Sequence, residues 1–533
     1  MNKILLLATS VAIFCITIQT HAQAVVFGES ASFALFSTDG AVSNTGLSQL
    51  TGNVGTNNGS STNFGNVDGV MHDADGTSAN AAADLTIAYN ELNAAIPDYF
   101  PAALLGNGQV LVPGTYSIGQ SATLDNTLIL DGEGDANAVF IFQVQGSFSS
   151  SAGAQVFLTN GALACNVFWK IEGLVDLATN TEMKGTIVAN NAAIILNSGA
   201  SLEGRALSTT GAVTVSGVTV RTPLGCGTAV LTGPVAPELN SVACYTVFSG
   251  NGEVTNSGVS FVTGDVGSNM GLTTGFQAGN VVGTIHEIPD TSTAQCALDL
   301  NNVYDYLNTL PVDIELLYPA AFGQDLVLTP HTYLMDAATV LTGTMSFNAQ
   351  GNADAVFVIK INGAISTSTY ASVVLLNGAQ AKNVFWKIDG ATNLNDYTEF
   401  KGTVVGNNGA VILNTGVAIE GRVLSTSGGI TTFGIDAQMT PGCDALSIND
   451  NTTTTKSVEF YPNPFKSSLN VKMNGFDSNS AELTIYNTMG VIVLKTTITE
   501  MTKSIPMNLS TGIYLYELNS KDGLQQRGKL LAN

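Results

Sequence analysis

Four histidines and six cysteines are among the scarcest reactive side chains in this 533-residue sequence. His72 beside Asp73 and His286 beside Glu287 stand at matching points of two similar stretches. A His–carboxylate pair is the base half of a nucleophilic site, but no nucleophile accompanies either pair at fixed spacing, so a structural hydrogen bond is expected. Polysaccharide cleavage needs carboxylates gathered on a groove. Here the acids form no dense cluster, and the first similar stretch holds only four basic residues, Lys170, Lys184, Arg205 and Arg221. Asp131-Gly-Glu-Gly-Asp135 has the acids of a calcium loop, but its counterpart Asn348-Ala-Gln-Gly-Asn352 lacks them, so a turn is expected. Cysteine and histidine spacing gives no zinc pattern. The reading is a protein without catalytic residues, metal or cofactor.

Composition narrows the remaining classes. A net charge of −23 argues against nucleic-acid and anionic-membrane partners. With 11% charged and 45% hydrophobic residues and 56 glycines, the chain suits a β-rich fold with tight turns, neither disordered nor a helical bundle. Lys3, the apolar run Ile4 to Ile18 and Thr20-His21-Ala22 read as a signal peptide (1–22).

The body is duplicated. Asn166-Val-Phe-Trp-Lys-Ile recurs as Asn383-Val-Phe-Trp-Lys-Ile, and Glu203-Gly-Arg-Ala-Leu-Ser-Thr as Glu420-Gly-Arg-Val-Leu-Ser-Thr. Two domains follow, 23–226 and 242–443, joined by a proline-containing linker at 227–241. Within each copy Glu182 and Lys184 recur as Glu203 and Arg205, 21 residues on, among short apolar runs such as Ala193-Ile-Ile-Leu and Ala212-Val-Thr-Val. Three short strands per turn of about 20 residues predict a parallel β-helix. At that step Glu182 would stack on Glu203 and Lys184 on Arg205, a solvated charge face. One helix per copy is predicted, Ser78 to Ala95 and Thr293 to Leu310, each ending before a proline. A linker at 444–456 precedes a compositionally distinct tail, 457–533.

After leader removal five cysteines remain. Cys244 and Cys296 replace Ser32 and Ala81 together, which predicts a Cys244–Cys296 disulfide; Cys165–Cys226 would be the second, leaving Cys443 unpaired.

Short side chains follow the second strand of successive coils: Ser151-Ala-Gly-Ala154, Leu177-Ala-Thr-Asn180, Ser198-Gly-Ala-Ser201 and Ser216-Gly-Val-Thr219. Stacked, they would form a grid of about 4.8 Å by 6.6 Å, close to water-oxygen spacings on ice planes. The ordered elements Phe33-Ala-Leu-Phe, Thr51-Gly-Asn-Val-Gly, Ala138-Val-Phe-Ile-Phe-Gln, Asn166-Val-Phe-Trp and Gly204-Arg-Ala-Leu resemble the microbial ice-binding proteins, whose fold is a discontinuous right-handed β-helix with an adjoining helix. The resemblance covers both copies and implies mainly β architecture, two tandem solenoids and adsorption to ice. The expected contacts are Ser151, Thr179, Asn180, Ser198, Ala200, Ser201, Ser216 and Thr219, with Thr415 in the second copy. Ser198-Gly-Ala-Ser201 and Ser216-Gly-Val-Thr219 approximate the family's Thr-(Ala/Gly)-x-(Thr/Asn) pattern. In the second copy Gly153, Asn180, Ser216 and Thr219 become Tyr370, Tyr397, Phe433 and Asp436, so the first copy is expected to be the stronger binder.

Phe460-Tyr-Pro-Asn-Pro464, Gly512-Ile-Tyr-Leu-Tyr and Gly528-Lys-Leu-Leu resemble, in that order, the C-terminal sorting domain of the Bacteroidetes type IX secretion system, expected to be a small β-sandwich. That implies a secreted or surface-attached protein with the secretion machinery as a partner; ice is the other expected partner, a monomer is expected, and with no second long apolar segment no membrane insertion is expected. A surface adhesin binding glycan or protein is the alternative.

Overall fold

A computed structural model describes residues 25–227, 230–443, 457–474, 480–500, 502–520 and 525–533. The expected signal peptide and the expected 444–456 linker lie outside the described residues. The chain forms two units, Met1–Asp444 and Ala445–Asn533.

The first unit holds two parallel β-helices. In the first copy Phe140–Val144, Phe148–Ser150 and Gln155–Thr159 make one coil, each strand pairing in parallel with neighbouring coils. Three faces result: one under a helix, one open sheet of eight strands, and a third. The coils do not stack in chain order. Phe33–Asp39, Val42–Thr45 and Gln49–Thr51 pair with Ser201–Ser208, Val213–Ser216 and Thr219–Arg221, so the first coil sits on the last. Helix α1 (Gly76–Ala94) then carries the chain to the far end. Its 19 residues span about 28 Å, about six coils. The second copy repeats this path, with α2 at Thr291–Thr309.

Both helices begin at an aspartate cap. Asp75 accepts from Ser78 N at 2.7 Å while Ser78 Oγ accepts from Asp75 N at 2.8 Å, and Asp290 with Thr293 repeats the box. α1 buries Ala81, Leu85, Ala88 and Leu92 at three- and four-residue steps against Phe33, Phe36, Phe168 and Leu207. Inside the solenoid the Phe142 and Trp169 rings stack at 3.9 Å. Trp169 Nε1 donates to Lys184 O at 2.9 Å, and Trp386 Nε1 to Lys401 O at 2.9 Å, which satisfies the one polar atom of each buried indole.

The 21-residue step is corrected by the pairing. Glu182 lies beside Ser201 and Lys184 beside Glu203, a step of 19. Gly185 and Gly204 set it. Glu182–Ala189 starts on the third face and finishes on the helix face, crossing near Gly185, whose φ is +101°. A Cβ there would lie 2.4 Å from Val167 O, and one on Gly204 would lie 1.8 Å from Gly185 O. Arg205 therefore lies on the helix-side face, covered by the segment at Ala31, and does not join a solvated ladder; it is 7% exposed and donates to Ala31 O and Thr186 Oγ1. Glu203 instead bridges Lys184 and Arg221, both at 2.9 Å.

The cysteine expectation is also corrected. Cys165 is bonded to Cys226, but Cys244 is bonded to Cys443, not to Cys296. Because the first coil stacks on the last, residues 199 apart meet there. Cys296 is a free thiol on the buried side of α2 among Leu300, Val303, Tyr245 and Phe248, and burial pushes its pKa up.

The two solenoids dock end to end. Asn66 donates to Tyr318 O at 2.9 Å and accepts from Tyr318 N at 2.9 Å; Gln49 donates to Gln324 O at 3.1 Å. Asp68, only 3% exposed, accepts from Thr329 Oγ1 at 2.8 Å and Tyr333 Oη at 2.5 Å. A cleft of about 700 Å³ opens beside this junction, lined in part by Asp68, Arg205, Asp313 and His331. The 227–241 segment is tied to the second copy: Thr232 O accepts from Val356 N at 2.8 Å and Val235 O from Tyr306 Oη at 2.8 Å.

The second unit has a three-stranded and a four-stranded antiparallel sheet, with Leu469, Val471, Leu483, Ile485 and Leu518 in its core.

Candidate functional site

The open sheet presents one outward residue per coil in strict register. In the first copy these are Thr62, Ser43, Thr214, Ile195, Asp176, Ser149, Thr123 and Leu104. In the second they are Thr274, Thr255, Thr431, Ile412, Asn393, Ser366 and Val340. Their neighbours on the strand point inward: Val213 and Val215 flank Thr214, Ile430 and Thr432 flank Thr431, and all four are buried. The pleat thus fixes each ladder residue's direction. Lateral bonds hold the ladder where it is polar. Asn197 Nδ2 donates to Asp176 Oδ1 at 2.8 Å, and Asn414 Nδ2 to Asn393 Oδ1 at 2.8 Å. Of the seven positions from Thr62 to Thr123 and their second-copy counterparts, six carry a residue no larger than Ile and without charge in both copies, and none carries a ring.

The residues singled out from sequence lie next to this sheet, along the edge where it turns onto the third face. Ser151, Thr179, Asn180, Ser198 and Thr415 sit in the turns, Ser216 closes an open-sheet strand, and Ser201 and Thr219 open third-face strands. Their turns stack through backbone bonds, Gly153 N to Thr179 O at 3.0 Å, Asn180 N to Ser198 O at 3.1 Å and Gly217 N to Thr45 O at 2.8 Å. Ala200 is a correction. It is 1% exposed and packs in the core, because the turn directs its methyl inward. The ladder itself escaped the sequence reading, although part of its signal is present: several members are the middle residue of an apolar-flanked triplet such as Val213-Thr214-Val215 or Val175-Asp176-Leu177.

The other faces are charged or covered. Glu203 shows why the third-face charges are structural: burial works against its ionisation, but bonds from Lys184 and Arg221 outweigh this and hold its carboxyl below the usual range. His72 Nδ1 lies 2.6 Å from Asp75 Oδ2 and His286 Nδ1 3.0 Å from Asp290 Oδ2, so the histidines pair with the helix caps, not with Asp73 and Glu287. Asp75 is held low chiefly by the Ser78 backbone N–H, and Asp290 by the Ser292 hydroxyl. Asp131 and Asp135 accept from the turn's own backbone N–H groups, Glu133 N and Asn137 N, each at 2.8 Å. Among the described residues no group of His, Cys, Asp and Glu is placed to hold a metal.

The edge differs between the copies. Where the first copy has Gly153 and Asn180, the second has Tyr370 and Tyr397, both at positive φ (+60° and +58°). That conformation costs about 1–2 kcal/mol for a residue with a bulky Cβ substituent. The two rings stack at 5.1 Å with an interplanar angle of 10°.

Comparison with known proteins agrees with this geometry. Residues 36–221 and 248–435 each match the ice-binding-like family, and 459–533 match the secretion system C-terminal sorting domain. An ice-binding protein of Nostoc sp. (strain HG1) is 36% identical over 230 residues, 42% of this chain and 84% of that protein. Ice-binding protein 1 of Shewanella frigidimarina is 26% identical over 357 residues, 61% of this chain and 39% of that protein. The solved structure of an ice-binding protein from an Antarctic bacterium of the Flavobacteriaceae is 73% identical, with a TM-score of 0.78, covering 79% of this chain and all of that one. The sorting domain makes the protein a secreted or cell-surface one. With two tandem solenoid copies matched over most of its length, the chain belongs to the ice-binding-like family.

Proposed function

We propose that this protein adsorbs to ice through the open sheets of its two solenoids and the small-residue edge beside them, and so restrains ice growth or recrystallisation. The observation that carries the reading is the registered ladder of Thr, Ser and Ile on the open sheet of each copy. Coils about 4.8 Å apart space the ladder's hydroxyls and methyls evenly, and the edge residue two positions on, such as Ser216 after Thr214, lies about 6.6 Å away. Methyl groups favour ordered water against them while hydroxyls anchor it, and a surface already ordered by its backbone ladders loses little entropy on adsorption. Such adsorption needs no acid, base or nucleophile, so the reading is non-catalytic. The protein acts as a monomer, and the type IX machinery is the partner of its C-terminal domain. Ice-affinity partitioning and thermal hysteresis of the full chain test this. The pair Thr214→Tyr with Thr431→Tyr places a ring on each sheet, Ser201→Tyr and Thr219→Tyr burden the edge, and Glu91→Tyr on the exposed side of α1 is the control. Sheet variants should lose most of the hysteresis at unchanged melting temperature, edge variants part of it, and the control none. Full adsorption by the sheet and edge variants alike would sink the assignment.

A further inference from the structure

We infer that the second solenoid carries a binding site for a neutral polysaccharide on the edge bearing Tyr370 and Tyr397, separate from the ladder of the open sheet. Tyr370 is 70% exposed and Tyr397 49% exposed, so neither ring serves the core. Tyr397 lies against Gly416, where a Cβ would come within 2.5 Å of the ring, and Tyr370 stacks on the opposite side. This rigid pair leaves one face of Tyr370 open over the turn at Gly343. Among the described residues neither phenol hydroxyl has a hydrogen-bond partner, so both are free to bond a ligand.

The aromatic character continues along the solenoid. Phe433 and Phe261 are exposed on the same side of the second copy, at the end of one open-sheet strand and the start of one third-face strand. All four positions are non-aromatic in the first copy: Gly153, Asn180, Ser216 and Gln49. Tyrosine at two positive-φ positions is a conformational liability that one stacked ring pair only partly offsets, and with both rings exposed this points to an outward role. Aromatic faces take up the C–H faces of pyranose rings, and carboxylates accept their hydroxyls. Exposed Glu399, two residues beyond Tyr397, and Asp396, whose Oδ1 already accepts from Thr415 N at 3.1 Å, supply those acceptors. The same carboxylates, on a chain of net charge −23, exclude acidic polysaccharides. A neutral chain of sugars running along the coils meets both requirements.

Affinity gel electrophoresis of the full chain through hydroxyethylcellulose, laminarin or dextran tests the site. The wild type should be retarded by at least one of these polymers. Tyr370→Gly with Tyr397→Asn restores the first copy's residues, which adopt positive φ without strain. This double variant should bind about tenfold more weakly, equivalent to about 1.4 kcal/mol, with melting temperature unchanged or raised. Absence of retardation of the wild type by all three polymers overturns the proposal. So does undiminished retardation of the double variant, whatever its behaviour on ice. Since the readout is the polysaccharide, failure here leaves the ice reading standing, and failure of ice adsorption leaves this one standing.

Discussion

Single residues show where pattern and position part company. Cys244 and Cys296 replace small residues together in the second copy, yet their reasons are unrelated. Cys296 fills the place of Ala81 on the sheet side of its helix, whereas Cys244 meets Cys443 across the seam between first and last coils. The closed loop is long, so its removal frees much unfolded-chain entropy. Cys443→Ser should cost about 2–5 kcal/mol. Cys296→Ser should cost about 1–3 kcal/mol, through a buried hydroxyl lacking an apolar thiol's fit. Thermal melts of both variants, with thiol labelling of the native wild type, check this; a native thiol that labels quickly would contradict a buried Cys296. The Glu-Lys and Glu-Arg recurrence misled in a similar way. Aligning on Gly185 and Gly204, not on the charges, gives the 19-residue step that the pairing adopts, and it turns Arg205 from a surface residue into a buried one.

Strands and helices were largely legible, because period-two alternation and a capped, proline-terminated helical pattern are local signals. The helices begin two residues before the expected starts and end one residue before the expected ends. The order in which coils stack was not legible from spacing, because Phe33–Asp39 and Ser201–Ser208 are bound by backbone bonds that leave no mark on either sequence. The resemblance to a discontinuous β-helix named the architecture but not which coils meet, and so the Cys244–Cys443 bridge went unread. For the same reason the contact surface was only half visible: turns rich in Ser, Gly and Ala stand out, while Thr214 between two valines reads as an ordinary strand. The long strands depend on the glycine that lets them change face. Gly185→Ala combines a forbidden backbone conformation with a Cβ driven toward Val167 O and should cost about 2–5 kcal/mol. Gly199→Ala, at a turn with φ of +76° and with the movable Asn180 side-chain amide as its close contact, should cost less. Equal melting temperatures for the two would contradict the idea that the face change, and not positive φ alone, demands glycine.

At the scale of the whole molecule, the two solenoids are joined through a buried carboxylate. Burial raises the pKa of Asp68, and the nearby His331 charge and the Tyr333 and Thr329 bonds only partly offset it. A carboxyl raised on folding favours the folded state most below its unfolded value of about 3.9, and that contribution disappears as pH climbs through the folded value. Asp68→Asn keeps an acceptor for Tyr333 without the charge. Its melting temperature relative to wild type should therefore be highest near pH 7 and fall toward equality near pH 3–4; a difference independent of pH would mean the carboxyl is not raised. The division of labour between the copies rests on which surface meets ice. On the edge the first copy has Gly153 and Asn180 where the second raises rings, which favours the first copy. On the open sheet the balance reverses: Ser43 becomes Thr255, gaining a methyl, and the carboxylate of Asp176 becomes the neutral amide of Asn393. A carboxylate holds its own hydration shell and opposes fit to a lattice, whereas an amide can join it. The sheet reading thus makes the second copy at least as strong a binder as the first, and the edge reading makes it weaker. Thr214→Tyr and Thr431→Tyr, made singly in the full chain, separate the two. If the open sheet is the principal contact, Thr431→Tyr lowers thermal hysteresis by at least as much as Thr214→Tyr at matched molarity. A loss confined to Thr214→Tyr would return the second copy to a supporting role on ice.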